Sequence, residues 1–400
     1  MNDPSTIRKL TIIAAALSLL ACAGTPSAPP AETAAMETEY VLAVPDGFRR
    51  APHGSKSFDG CGEPSEPHTG ALDFPSKFEG SDEARDDLNR EAERRYRSQT
   101  QAITELERRI AKLADRWLET GDPAAVACAV DWLHRWAEAD ALMGKVETHT
   151  GKSVRKWALA SVSAAWLRFQ RSEARPLAPH RAEQQRIESW FLDLAERVVD
   201  DWSEVPDRKF NNHEYWAAWA VMASAVTVND RELYDWSVAQ YRRALRQIDD
   251  QGFLANELSR DTRALYYHNY SLPPLAMMAA FGAANGEPLV EAESRALERL
   301  ARNVIDGVEN PERFARRTGS TQQVEKLEGS KFTWLEPYCA TTACDDDFER
   351  VRDDNRPLSN YRVGGNVTRI FTPPRHTDVS LDHPLPDFRY TQGRDHETDG

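Results

Sequence analysis

The stretch ITELERRIAKLADRW, residues 103–117, decides the class of fold. Its apolar side chains recur at spacings of three and four residues, which aligns them on one side of a helix: Ile103, Leu106, Ile110, Leu113 and Trp117. The triplet at 121–123, Gly-Asp-Pro, then ends the pattern, because glycine and proline interrupt helices. The spacing predicts one amphipathic helix that stops at this triplet.

The same spacing continues along the chain to about residue 307. Comparable apolar stripes lie at 124–142, 154–169, 182–199, 215–227, 232–248, 272–284 and 291–308. Stripes of roughly 15 to 25 residues with short polar breaks are typical of antiparallel helix hairpins. They predict an all-α fold, an incomplete α/α toroid of hairpins around a central cleft, and the absence of a fixed repeat disfavours a regular solenoid. The best strand candidates, 41–44 and 367–371, lie outside this block.

The composition excludes several classes of protein. The chain has 400 residues, of which 40% are hydrophobic and 11 are Trp, so it can bury a sizeable core and is not mainly disordered. Its 20 Gly and 23 Pro are too few for a collagen-like or low-complexity chain. The formal net charge of −14 argues against a general nucleic-acid binder. Any anionic ligand would therefore need a locally basic cleft.

The N-terminus resembles an export signal. Two basic residues precede an apolar run from Leu10 to Ala21, which is too short to span a bilayer and ends in small residues. The string LLAC at 19–22 resembles a bacterial lipobox, which would make Cys22 the lipidated first residue, while ACA at 21–23 fits ordinary signal peptidase. We favour the lipoprotein interpretation, because the Pro/Ala/Ser/Thr-rich residues that follow are typical of a flexible tether.

These patterns divide the chain into four parts: a signal peptide at 1–21, a flexible tether at 22–40, the helical domain at 41–373 and a polar tail at 374–400. The tail is expected to be disordered, and we assign it no function. We expect a periplasmic protein that a lipid on Cys22 anchors to the outer membrane.

Four cysteines remain once Cys22 is set aside: Cys61, Cys128, Cys339 and Cys344. An even number in an exported chain indicates disulfides, and four cysteines allow three pairings. We favour Cys61 with Cys128 and Cys339 with Cys344, since the latter two would close a short local loop. A zinc site is the alternative, although no CxxC pair supports it.

The densest polar cluster beside a predicted helix is NNHEYWAAW, residues 211–219. Asn is a favoured N-cap, and the apolar run begins directly after it. A helix start presents free N–H groups and a positive potential, so Asn212 and His213 are candidates for docking a carboxylate. An ordinary capped helix start with a buried, hydrogen-bonded histidine would explain the same residues.

A second cluster, RALYYHNYSLPP at 263–274, holds a guanidinium, three phenols and an imidazole. This composition is poor for a core, because each polar tip needs a partner, although aromatic packing with hydroxyls at the solvent remains the alternative. Arg263 and Tyr270 are seven residues apart and share a face if the stretch is helical. The two prolines can follow a turn or open the next helix.

Two loops, 76–81 and 149–152, also carry cationic and hydrogen-bonding groups but are individually typical of solvated loops.

Several familiar catalytic motifs are missing from the sequence. It contains no HExxH, no GxxxxGK, no GxGxxG and no GxSxG. Asn, His, Arg and Tyr instead suit β-elimination from an acidic polysaccharide, in which donors neutralise the carboxylate, Tyr or His removes the adjacent proton and Tyr protonates the departing glycosidic oxygen. This reaction requires neither a metal nor an organic cofactor.

Five strings resemble the periplasmic alginate lyases, the poly(β-D-mannuronate) lyases of polysaccharide lyase family five. They are SKFEGSD at 76–82, HTGKSVRKWAL at 149–159, NNHEYWAAW at 211–219, RALYYHNYSLPPLAM at 263–277 and WLEPYCA at 334–340. They follow the family's order and spacing and indicate a resemblance over nearly the whole exported chain. It implies an α/α toroid that cleaves mannuronate-rich alginate by β-elimination and leaves an unsaturated uronate at the new non-reducing end.

The resemblance also implies roles for individual residues. Asn212 and Arg263 would neutralise the substrate carboxylate, His213 would be the general base or support it, and Tyr270 would be the general acid that can also act as base. The positions that match substrate contacts are Ser76, Lys77, His149 and Thr150, together with Tyr270. The favoured cysteine pairing agrees with the family pattern. Glu214 departs from it, since the family commonly has Ser there, and this leaves substrate preference and pH optimum open.

We therefore expect an endolytic alginate lyase retained in the cell envelope, acting as a monomer on an acidic polysaccharide and not on nucleic acid. One alternative is a lyase for another uronate polymer such as polyglucuronate, for which Glu214 is the hint. The other is a non-catalytic polysaccharide-binding lipoprotein, which the loss of any of the four chemical residues would favour. All four are present.

Overall fold

The computed structural model describes residues 41–52, 54, 58, 60–80, 88–325 and 327–372. The helices of this part, in chain order, are α1 (Arg90–Gln99), α2 (Gln101–Thr120), α3 (Pro123–Glu138), α4 (His149–Gln170), α5 (Arg181–Trp202), α6 (Asn212–Val228), α7 (Arg231–Leu245), α8 (Ala255–Leu258), α9 (Ala264–Ala284), α10 (Ala292–Glu309), α11 (Glu312–Thr318), α12 (Leu335–Thr341), α13 (Asp346–Asn355) and α14 (Val367–Phe371). Strands β1 (Ser359–Asn360) and β2 (Gly365–Asn366) pair in antiparallel fashion.

The long helices pack in two layers, as expected for an α/α toroid. The inner layer holds α2, α4, α6 and α9, each in contact with the next. In the outer layer α3 packs on α5, and α7 packs on α10. Consecutive helices joined by short connections pair as hairpins, as α2 does with α3 and α6 with α7. The all-α fold expected from the apolar stripes is confirmed.

The central helices have no exposed face. Every residue of α9 from Ala264 to Gly282 is buried, and so is every residue of α6 from Asn212 to Thr227. By contrast, α2 and α7 bury one side only. A helix that is buried all round is stable only where neighbouring helices surround it. Polar side chains on α6 and α9 are therefore removed from water and need partners within the protein.

The predicted end of the first long helix is confirmed at the triplet that follows α2. Gly121 takes a left-handed backbone conformation with φ of 66°, which a residue with a side chain adopts less readily. The side chain of Asp122 then accepts a hydrogen bond from the backbone N of Ala124 at 2.9 Å, and Pro123 is the first residue of α3. Local chemistry alone thus ends one helix and begins the next.

Both strand predictions are wrong. Residues 41–44 form no strand, because amide side chains take the hydrogen bonds that a neighbouring strand would make: Leu42 N donates to Asn229 Oδ1 and Ala43 N to Asn285 Oδ1. Residues 367–371 are helix α14, whose first turn is capped by the side chain of Asn366. In each case a nearby asparagine satisfied the backbone and removed the need for a strand partner.

The second polar cluster and the apolar stripe at 272–284 form a single helix, α9, with Pro273 and Pro274 inside it. The expectation that these prolines follow a turn or open the next helix is therefore wrong. A proline inside a helix costs ~3 kcal/mol, because it removes an N–H and its ring crowds the preceding turn. Burial of the helix on every side offsets this cost, and Tyr270 consequently lies on a rigid helix that begins directly after Arg263.

Both favoured disulfides are present and rule out a zinc site at these cysteines. Cys61 bonds to Cys128 and Cys339 to Cys344, which close loops with sequence separations of 67 and 5. The signal peptide, the tether with Cys22 and the tail at 374–400 lie outside the described residues. Within the described part, no helix has the length and apolar character needed to cross a membrane.

Candidate active site

A capping network holds the first turn of α6. Asn211 precedes the helix, and its side chain accepts a hydrogen bond from the backbone N of His213 at 3.0 Å. The Glu214 carboxylate in turn accepts one from the backbone N of Asn211 at 2.6 Å. The capped helix start considered as the alternative interpretation is therefore present. It positions the two candidate residues rather than replacing their function, because Asn212 and His213 make further contacts of their own.

Asn212 is bound to a buried carboxylate. Its backbone N and its side-chain Nδ2 donate to Glu257 Oε1 at 2.8 and 3.0 Å, and Glu257 is fully buried on α8. The Asn212 Oδ1 atom is buried and has no hydrogen-bond partner among the described residues. Because an amide oxygen only accepts, this atom can meet a hydrogen-bond donor of a ligand, such as a hydroxyl group.

His213 lies among aromatic rings beside a buried ammonium group. Its Nδ1 atom is 2.8 Å from Lys156 Nζ and 3.1 Å from Ser153 Oγ, both on α4. The indole of Trp202 stacks parallel to the imidazole with ring centres 5.8 Å apart. His149 is exposed, and its ring contacts the His213 ring edge-on with ring centres 4.4 Å apart. The histidine is thus enclosed on the inner side and reaches the surface through His149.

Three cations surround two phenol rings at the start of α9. Arg260 and Arg263 lie 4.7 and 4.8 Å from the ring centre of Tyr267. Arg263 is also 5.3 Å from the ring of Tyr266, and Lys331 Nζ is 5.6 Å from that ring. Cations over aromatic faces are attracted by the ring quadrupole and can remain charged with little water. This cluster provides the locally basic surface that an acidic chain needs to bind an anion.

Tyr270 is linked to the His213 side of the site by an arginine from the end of the domain. Arg362 Nη1 donates to the Tyr270 hydroxyl at 2.9 Å. The same guanidinium lies 4.2 Å from the ring centre of Trp157, whose ring is 5.9 Å from that of His213. Trp216 of α6 packs on Tyr270 with ring centres 5.4 Å apart. These contacts bring α4, α6 and α9 together at one place.

A second set of contacts links Arg263 to Asn212. Both Arg263 and Arg260 cover Tyr267, and Arg260 Nε lies 3.7 Å from the Glu257 carboxylate that binds Asn212. The predicted catalytic residues are therefore joined through shared neighbours. Their exposed fractions are 1% for Asn212, 2% for His213, 5% for Arg263 and 8% for Tyr270.

The predicted substrate-contact residues approach this site from two directions. His149 and Thr150 begin α4, and His149 contacts the His213 ring, while Thr150 is half-buried in the same turn. On the other side, Ser76 and Lys77 belong to a turn whose next residue, Phe78, lies 5.4 Å from the Arg263 guanidinium.

Lys77 is less available than the family resemblance implies. Its side chain is 8% exposed and places Nζ 4.5 Å from the ring centre of Tyr96, on α1. Ser76 Oγ accepts a hydrogen bond from the backbone N of Phe78 at 3.2 Å. Ser76 thus stabilises its own turn and Lys77 connects that turn to α1, and the turn brings both residues next to the Arg263 side of the site.

Burial weakens the negative charges of two carboxyl groups in the site, Glu257 and Glu214. It raises the pKa of Glu257, against the opposing effect of Arg260 and of the hydrogen bonds from the asparagine. Burial also raises the pKa of Glu214 to about 7, although the Asn211 hydrogen bond and Lys156 lower it. A carboxyl with this pKa is about half protonated at neutral pH. The negative charge next to His213 is therefore smaller than the sequence suggests.

Several residues of the site carried no assignment from the sequence, among them Lys156, Glu257 and Arg362. Lys156 offered a signal, because a cation within the apolar string VRKWALASVSAAW has no polar helix face to occupy. Glu257 and Arg362 offered none, since each is one charged residue among many in a polar segment. They reach the site only because α8 and the loop before β2 fold against it.

This chain is similar to known alginate lyases along most of its length. A protein-family model described as alginate lyase matches residues 73–314. An alginate lyase of Pseudomonas putida is 48% identical over 336 residues, which cover 83% of this chain and 92% of that protein. An alginate lyase of Pseudomonas aeruginosa is 46% identical over 333 residues, which cover 83% and 91%.

Solved structures share the fold. The crystal structure of alginate lyase A1-III from Sphingomonas species A1 superposes with a TM-score of 0.68 at 22% identity and covers 82% of this chain and 91% of that one. Such identity supports the α/α toroid and no more.

Proposed function

This chain belongs to the alginate lyase family and is a polysaccharide lyase, and on that premise we propose that it cleaves mannuronate-rich alginate endolytically by β-elimination. Asn212, His213, Arg263 and Tyr270 would carry the reaction. The observation that supports this assignment most strongly is the hydrogen bond from Arg362 to the Tyr270 hydroxyl, within a group of buried donors.

In the proposed reaction, the sugar loses the proton on the carbon next to its carboxylate. The electron pair of that C–H bond forms the new C=C bond, the neighbouring C–O bond breaks, and the glycosidic oxygen leaves with a proton. Because negative charge develops on the carboxylate, a donor from Arg263 stabilises the transition state more than the ground state, and Asn212 would add a second donor once its Nδ2 turns from Glu257 to the substrate. His213 takes the proton or donates to the carboxylate, depending on which ring nitrogen carries hydrogen.

Tyr270 is suited to move the proton. A guanidinium that donates to a phenol oxygen stabilises the phenolate, so Arg362 favours the form that can accept the proton. The resulting phenol can then give the same proton to the leaving oxygen, which returns Tyr270 to its starting state. The phenol thus serves as base and acid in turn, with no net gain or loss of protons by the protein.

The basic patch formed by Arg260, Arg263 and Lys331 supports an acidic polymer as the substrate. These cations flank Tyr266 and Tyr267, and aromatic rings beside cations offer both an apolar face for a sugar ring and charge for its carboxylate. The formal net charge of the chain is −14, so an acidic polymer is attracted only at such a patch.

The test is to incubate the purified protein with polymannuronate, polyguluronate and polyglucuronate and to follow the ultraviolet absorbance of the unsaturated product. We expect product from polymannuronate first, and a fall in viscosity that precedes the release of small oligosaccharides, because endolytic cuts shorten long chains early. Faster product formation from another polymer would replace the substrate assignment. Well-folded protein that forms no product from any of the three would refute the catalytic proposal.

We also propose that the protein works in the periplasm as a lipoprotein anchored through Cys22. This rests on the basic and apolar residues before it and the LLAC string at 19–22. Mass spectrometry of the mature N-terminus should find a lipid-modified Cys22, and Cys22→Ala should release the protein from membranes into the soluble periplasmic fraction. An unmodified N-terminus at residue 24 would instead indicate ordinary signal peptidase.

A further inference from the structure

Lys156 is a buried cation with two polar contacts to the same residue, His213. It is 0% exposed on the inner helix α4. Its Nζ lies 2.8 Å from His213 Nδ1 and 3.0 Å from the His213 carbonyl oxygen. The ammonium also sits 3.8 Å from the ring centre of Trp202, the indole that stacks on the imidazole. Trp202 thus packs on the face of the His213 ring, and Lys156 contacts its Nδ1 edge.

The chemistry of an ammonium gives the contact with Nδ1 a direction. A lysine ammonium has three N–H donors and no acceptor, so it can only donate. The face of the Trp202 ring, 3.8 Å from Nζ, attracts a positive charge at this position. Nδ1 must then be the acceptor, and the hydrogen of the neutral imidazole must lie on Nε2. Ser153 Oγ, 3.1 Å from Nδ1, can donate to the same atom.

We propose that Lys156 is a positioning residue that holds the proton of His213 on Nε2, so that the histidine donates to the substrate instead of accepting its proton. This rests on the proposed function, in which a uronate carboxylate occupies the cleft. It resolves the choice left open above, since an Nε2–H group can neutralise a carboxylate but cannot act as a base. Proton removal is then left to Tyr270.

The direct test is heteronuclear NMR of protein labelled at the histidine ring nitrogens, with the His213 signals assigned by their disappearance in His213→Gln. We expect His213 Nδ1 to show the shift of a ring nitrogen without hydrogen, and Nε2 that of one with hydrogen. This readout needs neither substrate nor turnover. The reverse pattern, with hydrogen on Nδ1, would overturn the proposal, because Lys156 would then be a neutral amine that accepts it.

Variants separate this role from simple packing. Lys156→Met removes the donor, so the His213 signals should change to a mixture of tautomers, and kcat should fall more than KM rises, by no more than the ~10²- to 10³-fold expected when a donor to the developing charge is lost. Lys156→Arg retains a donor that is always charged and should restore the wild-type pattern. Unchanged His213 signals in Lys156→Met would overturn the proposal. If Lys156→Met does not fold, the spectra of the wild type and of Lys156→Arg still show which nitrogen of His213 carries the hydrogen.

Arg155→Met is the matched control. Arg155 is a buried cation one residue earlier on α4, but it bonds to Asp201 and to the carbonyls of Leu142 and Gly144. Its loss should lower the stability of the protein and leave the His213 tautomer unchanged. If Arg155→Met changed the tautomer as much as Lys156→Met does, Lys156 would have no specific role. Protein with the expected tautomer but no product from any uronate polymer would refute the proposed function and leave the Lys156 contact intact.

Discussion

Among the residues that the structure describes, two histidines are enclosed, His213 on α6 and His268 on α9, and their surroundings differ in kind. His268 is saturated by the backbone: Leu254 N donates to its Nε2 at 2.8 Å, and its Nδ1 lies 2.7 Å from the carbonyl of Ala264. His213 instead meets the side chains of Lys156 and Ser153. The two side chains are buried almost equally, with exposed fractions of 2% for His213 and 0% for His268.

The difference shows that the partners of a buried histidine, more than its burial, indicate its role. Backbone partners on both nitrogens fix a fold, because the ring can neither gain nor lose a proton without breaking a hydrogen bond. For His268 this also connects α9 to the segment that precedes α8, which carries Glu257. Burial lowers the pKa of His268 to about 4, so the imidazole stays neutral at neutral pH. We therefore assign structure to His268 and chemistry to His213.

Tyr270 provides the largest test of this comparison. It lies two residues after His268 on α9, yet its hydroxyl contacts Arg362 and its ring contacts Trp216, so it belongs to the His213 side. Tyr270→Phe removes only the hydroxyl and should reduce kcat by roughly 10⁴-fold or more, because one group serves as both base and acid. Its thermal unfolding should match that of the wild type. A rate near that of the wild type would refute the assigned role.

His213→Gln is expected to have the next largest effect. The loss of one donor to the developing negative charge typically lowers kcat by ~10²- to 10³-fold, while the capped helix start should keep the fold. Steady-state rates on polymannuronate, with circular dichroism as the control for folding, measure this. If His268→Gln reduced kcat per folded molecule as strongly, the division into structural and chemical histidines would be wrong.

His268→Gln should act on stability and its pH dependence. The folded pKa of about 4 lies below the ordinary 6.5, so the unfolded chain binds more protons between these values and the wild type loses stability as pH falls through this range. The full change is about 3 kcal/mol. Urea unfolding at both ends of the range measures the free energy of unfolding. The free energy of the wild type should exceed that of the variant most at pH 6.5 or above. An equal difference at both ends would contradict the assignment.

Glu214→Gln should show the opposite sign and a smaller effect. The folded pKa of about 7 lies above the ordinary 4.5, so the folded state holds the extra proton and stability falls as pH rises between these values. Relative to the wild type, the variant should therefore gain stability above pH 7, by at most ~3 kcal/mol, less the loss of its charged cap on Asn211. A variant whose relative stability does not change with pH would show that Glu214 ionises freely.

Much of this could be predicted from the sequence, and the failures have physical causes. The stop at Gly121 and the cap at Asn211 were readable because a few adjacent residues decide them. The strand predicted at 367–371 failed because the Asn366 side chain supplied a cap that outweighed the β propensity of Val and Ile. The break expected at Pro273 failed because burial stabilised one continuous helix.

The sequence by itself determined the helical class and the identity of the residues expected to carry the chemistry, because apolar spacing and short motifs act over a few residues. Only the tertiary structure decided how they meet. Lys156, Glu257 and Arg362 come from segments up to about 200 positions apart and act through His213, Asn212 and Tyr270. A direction of hydrogen bonding between buried groups depends on which partners packing brings within ~3 Å, and no local pattern encodes that.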